Sequence, residues 1–241
     1  MSRRYLGVAI VGVLATAVGL SATAGAASSL RHGPNHKITN STSTNWSGYA
    51  VTGSRYTSVS ASWTEPTVSC SGGTAYSSFW VGLDGDTSGT VEQTGTDADC
   101  SGSTPQYYAW YEMYPKFPVN LSGTVRPGDN MTASVTTNGS GSFTLTISDT
   151  TQRWTNTTNA RLKRASLASA EVIAEAPSSS GGVLPLANFG TVGFTSAKAN
   201  GATLTSSTPG IDPITMQSGS TVKAQPGSIS SGAFSVTWKH S

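Results

Sequence analysis

The run MTASVTTNGSGSFTLTI, residues 131–147, decides the fold class. Residues 131–136 and 143–147 read as two strands. Asn138-Gly139-Ser140-Gly141 between them is hairpin chemistry, because asparagine and glycine accept the positive φ that tight hairpin turns need. The same punctuation recurs outward in both directions. Val59, Ala61 and Trp63 alternate with Ser58, Ser60 and Ser62, the period of a half-buried strand. Phe79-Trp80-Val81-Gly82-Leu83 reads as a buried strand, and 107–114 as a strand with Tyr108, Trp110, Glu112 and Tyr114 on one face. Arg126-Pro127-Gly128-Asp129 is a turn, and 189–194 and 233–238 are further strands. The alanines and glutamates of 165–176 suit a helix, but Val172 and Ile173 are β-branched and the neighbouring segments are strands, so a strand is preferred. In either conformation Glu171 and Glu175 share a face. The expectation from this pattern is one all-β domain, an antiparallel sandwich or barrel.

The composition narrows the chemistry. Only 11% of the 241 residues are charged, against 38 serines, 34 threonines and 27 glycines. About 25% charged is usual for a soluble domain. A net charge of +2 without a basic stripe argues against a nucleic-acid partner. The three histidines, His32, His36 and His240, all lie near the chain ends. An interior without histidine removes most Ser-His-Asp and Cys-His schemes and histidine-rich zinc sites. Neither a cofactor nor a metal is expected. Asp84-Gly85-Asp86 is too short a run of oxygens for a calcium loop.

Residues 1–26 read as a secretory signal: Arg3 and Arg4, an apolar stretch to Leu20, and Ala24-Gly25-Ala26 as a small-residue cleavage site. Its removal leaves 12 basic and 12 acidic residues. The protein is then expected outside the cell, a monomer with no membrane partner. Export permits a disulfide, and Cys70–Cys100 is the one intrachain pairing available. Residues 27–44 read as a flexible arm or short pro-segment, and 45–241 as the folded domain.

The twelve acids separate by context. Asp129, Asp149 and Asp212 sit in turn-like surroundings and are expected to be solvated. Glu112, Glu171 and Glu175 lie inside apolar strand-like runs, where a carboxylate is either on a wet face or in a cleft with a shifted pKa. Trp110 and Tyr114 beside Glu112 suit a substrate cleft. Gln93, between Val91 and Gly95, is a structural hydrogen-bonder or an oxyanion donor whose charge no pH changes.

Five strings in order, NWSGYA (45–50), FWVGLDGDTSGTVEQTGTD (79–97), AWYEMYP (109–115), SAEVIAEAP (169–177) and ANFGTVGFTSA (187–197), resemble the glutamic peptidases, or eqolisins. The short signal resembles a bacterial-type member. The resemblance implies an antiparallel β-sandwich of two packed sheets, of concanavalin or jelly-roll type, and a secreted, pepstatin-insensitive acid endopeptidase with polypeptide substrates. It implies Gln93 and Glu175 as the catalytic pair, with Trp46, Trp80, Asp84, Asp97, Trp110, Glu112, Tyr114 and Glu171 binding substrate or supporting the pair. Val172 and Met113 stand where the family has tryptophans, and Asn188 where it has aspartate. The arm before Thr44 is much shorter than the usual pro-segment, which argues against zymogen inhibition. On this reading Glu175, close to its ordinary pKa of ~4.3, takes a proton from water in acid while Gln93 holds the oxyanion. The competing readings are a β-sandwich glycoside hydrolase using Glu112 and Glu175 as paired carboxyls, and a non-catalytic carbohydrate-binding module. With so few carboxylates to lose ion pairs, the fold is expected to stay cooperative near pH 3.

Overall fold

The computed structural model describes residues 1, 30–35, 38–39 and 41–241; the expected signal, its cleavage site and His36 lie outside them, apart from Met1. The described residues form eighteen strands and no helix. In chain order they are β1 Thr42–Ser43, β2 Trp46–Thr52, β3 Ser58–Thr64, β4 Ser78–Leu83, β5 Val91–Ser101 and β6 Thr104–Tyr114. There follow β7 Val119–Asn120, β8 Asn130–Thr137, β9 Ser142–Asp149, β10 Trp154–Arg161, β11 Ser169–Glu175 and β12 Ser178–Ser179. The last are β13 Gly182–Val183, β14 Thr191–Ala199, β15 Ala202–Thr203, β16 Ile211–Ser218, β17 Thr221–Pro226 and β18 Phe234–Trp238.

Two layers result. The front layer runs β16-β2-β11-β4-β5-β6-β7, and the back layer runs β10-β9-β8-β3-β14-β18-β17-β16. They share β16: Ile211–Ile214 pairs with β2, and from Met216 onward it pairs with β17. Apart from β1, which runs parallel to β16, the paired strands are antiparallel. The expected hairpin joins β8 to β9, the 126–129 turn closes through Asp129 N–H to the Arg126 carbonyl, and 169–175 is a strand. Cys70 and Cys100 form the disulfide.

Between the layers, Phe79, Val81, Leu83, Val172 and Ala174 of the front pack with Val59, Ala61, Trp63, Val135, Leu145 and Ile147 of the back. The back layer's outer face accounts for the serine and threonine content. Its cross-strand neighbours pair through hydroxyls instead of charges: Ser62 with Thr132 at 3.0 Å, Ser148 with Thr155 at 2.9 Å and Thr146 with Thr157 at 3.3 Å. The front layer differs. Strands β2, β4, β5 and β11 are buried along nearly their whole length on both faces.

Three aspartates depart from expectation. Asp149 is 1% and Asp129 3% exposed. Each does sit at a turn, but backbone N–H groups replace water on the carboxylate: Thr151 and Gln152 donate to Asp149 Oδ1, both at 2.8 Å, and Arg126 donates to Asp129 Oδ2 at 2.7 Å. Asp212 lies within β16, half-buried, and accepts from the Ser41 hydroxyl.

Among the described residues, several buried acids have no cation paired with them. Burial pushes Glu65 and Glu92 each up to about 8, and Asp86 up to about 6. A carboxyl whose folded pKa is raised favours the folded state fully below its unfolded pKa, and that advantage is lost as pH rises through the folded value. The melting temperature should therefore rise on acidification from pH 8 to pH 4.5, read by calorimetry; a fall over that range would contradict these burials. Gly95 supplies a packing test. A Cβ there would lie 2.2 Å from the Phe79 carbonyl oxygen and 2.5 Å from Trp80 Cβ, whereas at Gly193 nothing lies within 4 Å. Gly95→Ala should lower the melting temperature by about 5 °C or more, and Gly193→Ala should leave it nearly unchanged.

Candidate active site

The outer face of the front layer gathers the acids and aromatics. Strand alternation puts Glu171, Ile173 and Glu175 of β11 on this face. Register then sets three rows across β4, β5 and β6: Ser78–Asp97–Tyr108, Trp80–Gly95–Trp110 and Gly82–Gln93–Glu112. Glu175 stands beside Ser78, and Glu171 beside Gly82. The two glycines of these rows form a floor for Trp80: a Cβ on Gly82 would be 2.9 Å from its Cζ3, and one on Gly95 would meet its own Cβ.

That floor lets the Trp80 indole reach Glu175. Trp80 Nε1 donates to Glu175 Oε2 at 2.8 Å, and Asn45 Nδ2 donates to Oε1 at 3.0 Å. A third donor is the backbone N–H of Gly33, 2.9 Å from the same oxygen. Burial raises Glu175 to about 8, partly opposed by His32 and by the Gly33 N–H. Gln93 Nε2 donates to the His32 carbonyl oxygen at 2.6 Å and faces Glu112 Oε2 at 3.3 Å. Both neighbours are acceptors, so the amide's NH2 must be the group that points at them. Residues 30–35, within the stretch read from sequence as a flexible arm or short pro-segment, thus lie in the cleft.

His32 sits at the centre. Its ring stacks on Trp110 with centroids 3.7 Å apart and planes 7° apart. Its Nδ1 lies 3.2 Å from Glu112 Oε2, its Nε2 3.3 Å from Asp97 Oδ1, and its backbone N–H donates to Glu112 Oε2 at 2.8 Å. Burial alone would lower its pKa, but Asp97, and behind it Glu112, outweigh burial and hold the imidazole well above its usual range, as a cation. Burial pulls Glu112 upward, and the same imidazolium opposes that.

Behind this contact, the Tyr108 hydroxyl lies 2.8 Å from an oxygen of both Asp97 and Asp99, and Trp110 Nε1 donates to Asp97 at 2.6 Å. A phenol has one proton to give, so one of the two carboxyls is protonated and donates to it. Burial, reinforced by the Asp97 charge, pushes Asp99 well up. Asp99 is therefore the neutral partner, and Tyr108 donates to the Asp97 carboxylate.

The remaining expected residues lie at varying distance. Trp46 packs edge-on against Trp80, centroids 4.8 Å apart, and Tyr114 borders Gly33. The Asp84 carboxylate accepts from the Leu167 and Ala168 N–H groups, both at 2.8 Å, and so fixes the approach to β11. Glu171 is on the site's face, pushed well up by burial, with Asp86, Asp84 and Glu92 adding to the effect. Sequence reasoning missed His32, Gly33, Asn45, Tyr108 and Asp99 as site residues. Two signals were available: Asn45 opens the 45–50 string, and Tyr108 shares the Trp110–Glu112 face.

A model of the Peptidase A4 family matches residues 44–238. Aspergillopepsin-2 of Aspergillus niger is 34% identical over 181 residues, a match covering 65% of this chain and 64% of the relative. The chain thus spans just under two thirds of that relative's length. Among solved structures, scytalido-glutamic peptidase with a peptide-based transition-state analogue aligns with a TM-score of 0.70 and 26% identity, over 81% of this chain and 98% of that one. SCP-B, an eqolisin-family peptidase in complex with the tripeptide Ala-Ile-His, aligns with a TM-score of 0.67 at 26% identity, over the same shares. With 195 residues matched in order, and the fold shared with these peptidases, the chain belongs to the Peptidase A4 family.

Proposed function

We propose that the protein is a secreted endopeptidase of acid media, insensitive to pepstatin, in which Glu175 is the general base and Gln93 the oxyanion donor. One observation carries this reading: a single peptide unit, His32–Gly33, has its carbonyl oxygen on Gln93 and its N–H on Glu175. Those are the two atoms that peptide hydrolysis must polarise and protonate. Glu175 Oε1 takes a proton from water, and the hydroxide attacks the carbonyl carbon. Negative charge develops on the oxygen that Gln93 Nε2 already addresses. The C–N bond then breaks as Glu175 returns the proton to the departing nitrogen. Trp80 and Asn45 fix the carboxyl, and Glu112 fixes the amide. In SCP-B the bound tripeptide ends in histidine. Here Leu30-Arg31-His32 precedes the bond at the dyad.

The value of about 8 for Glu175 belongs to a cleft covered by peptide, where burial is the largest cause of the shift. This differs from the nearly ordinary glutamate expected from sequence. In an open cleft, water reaches the carboxyl and the cost of charging it falls. Glu175 is then ionised in acid before substrate enters and becomes a stronger base as substrate seals over it.

Denatured casein should be cleaved at pH 3–4 with pepstatin present, and xylan left intact; sugar release instead would favour a glycosidase. Glu175→Gln and Gln93→Ala should each lower kcat/KM on casein by about 100-fold or more. Glu171→Gln, which replaces a neutral acid by a neutral amide of the same shape, should stay within about tenfold of wild type. An inactive Glu171→Gln beside an active Glu175→Gln would exchange their roles. The acid limb of kcat/KM reports the free enzyme. It should lie well below pH 8; a limb at pH 8 would contradict acid action.

A further inference from the structure

Residues 31 and 32 show how the cleft meets the part of a peptide that precedes the bond at the dyad. Arg31 forms an antiparallel bridge with Ser178, its N–H donating to the Ser178 carbonyl at 2.9 Å and its carbonyl accepting from Ser178 N–H at 3.0 Å. That is strand addition, and it uses main-chain groups that every residue but proline carries. It sets where the side chain at position 31 goes without choosing that side chain. The side chain itself meets a more selective surface. The Arg31 guanidinium donates to the Pro115 carbonyl at 2.6 Å, and its central carbon lies 4.2 Å from the centre of the Phe117 ring. A carbonyl oxygen only accepts, so a side chain that satisfies it must bring a proton. An aromatic face attracts a cation. A planar guanidinium can serve both at once. Glu112 adds a field of the same sense: burial raises its pKa, and the Arg31 charge joins His32 in opposing that rise.

We propose that Pro115 and Phe117 form a subsite selecting a basic side chain, arginine first, at the second residue before the bond that is cut. The inference rests on the proposed peptidase function and narrows it to a substrate class. Both groups are held by β6. The Lys116 N–H closes a turn on the Met113 carbonyl at 3.0 Å, and β7 pairs Val119 with Tyr111 and Asn120 with Trp110. Phe117 stands between these two anchors, and its ring is 53% exposed, so it is open to a side chain arriving from the cleft. Lysine ranks below arginine, because an ammonium is a point donor that cannot match the ring's plane while it bonds the carbonyl. Leucine ranks lower still: it would cover the Pro115 oxygen without bonding it. A carboxylate would face a carbonyl oxygen, the negative face of a ring and the field of Glu112 together.

The test begins with the protein as secreted, incubated at pH 4 with a denatured protein extract, and with mass spectrometry of the bonds it cuts. Arginine and lysine should be enriched about threefold or more at the second residue before the cut. A peptide cleaved in that digest, resynthesised with arginine or leucine at this position, should show kcat/KM about tenfold higher with arginine. Phe117→Ala should bring that ratio to about threefold or less, and Phe117→Tyr, which keeps an aromatic face, should restore it. Equal rates on the two peptides overturn the subsite and leave the peptidase reading standing. So does a ratio that Phe117→Ala leaves unmoved, including when both peptides slow together, since that marks the ring as merely structural. A protein that cuts neither the extract nor casein overturns both readings.

Discussion

Trp80 lies across two glycines and gives its one N–H to Glu175, and the rest of the site is arranged around that contact. The indole can lie flat because Gly82 and Gly95 carry no side chain on the face it covers. The carboxyl is consequently fixed by a rigid donor on a central strand. Asn45, at the entry to β2, fixes the other oxygen. Both glycines belong to antiparallel strands whose register also brings Gln93 beside Glu112. One set of ladder hydrogen bonds therefore sets the separation between base, amide and the peptide unit between them.

The site's electrostatics follow from burial without cations. Among the described residues, the ion pairs are those of His32 with Asp97 and Glu112. Four further buried acids, Glu65, Glu92, Glu171 and Asp99, have pKa values pushed upward, with burial the largest cause. Acids buried in this way make acid the condition in which the fold is least strained. The scarcity of charge seen in the sequence thus has two structural counterparts. Hydroxyl pairs cover the back layer, and carboxyls with raised pKa values occupy the interior.

Much of the fold is legible in the sequence because alternation and turn chemistry are local. The 131–147 hairpin, the alternating strand at 58–64 and the strand at 169–175 could be read from residue type alone. The gathering of Gln93 and Glu175 could not, since it depends on register between strands distant in sequence; resemblance to a family supplied it. The solvation expected of Asp129 and Asp149 fails because a short carboxylate at a turn can be satisfied by backbone N–H groups and leave water. His32 lies near the chain end in sequence, yet it sits at the centre of the site. Position along a chain says little about position in space, and a polar arm next to a sheet with two buried faces has somewhere to go. In the structure β2, β4, β5 and β11 are buried along nearly their whole length.

The central claim is that one peptide unit of the chain itself spans the amide and the carboxyl. A crystal structure of the full chain carrying Glu175→Gln, at a resolution that places main-chain oxygens, tests it most directly. The account predicts the His32 carbonyl oxygen within hydrogen-bonding distance of Gln93 and the Gly33 N–H facing the side chain at 175. Residues 30–35 found outside the cleft, or lying in it with the chain direction reversed, would contradict it.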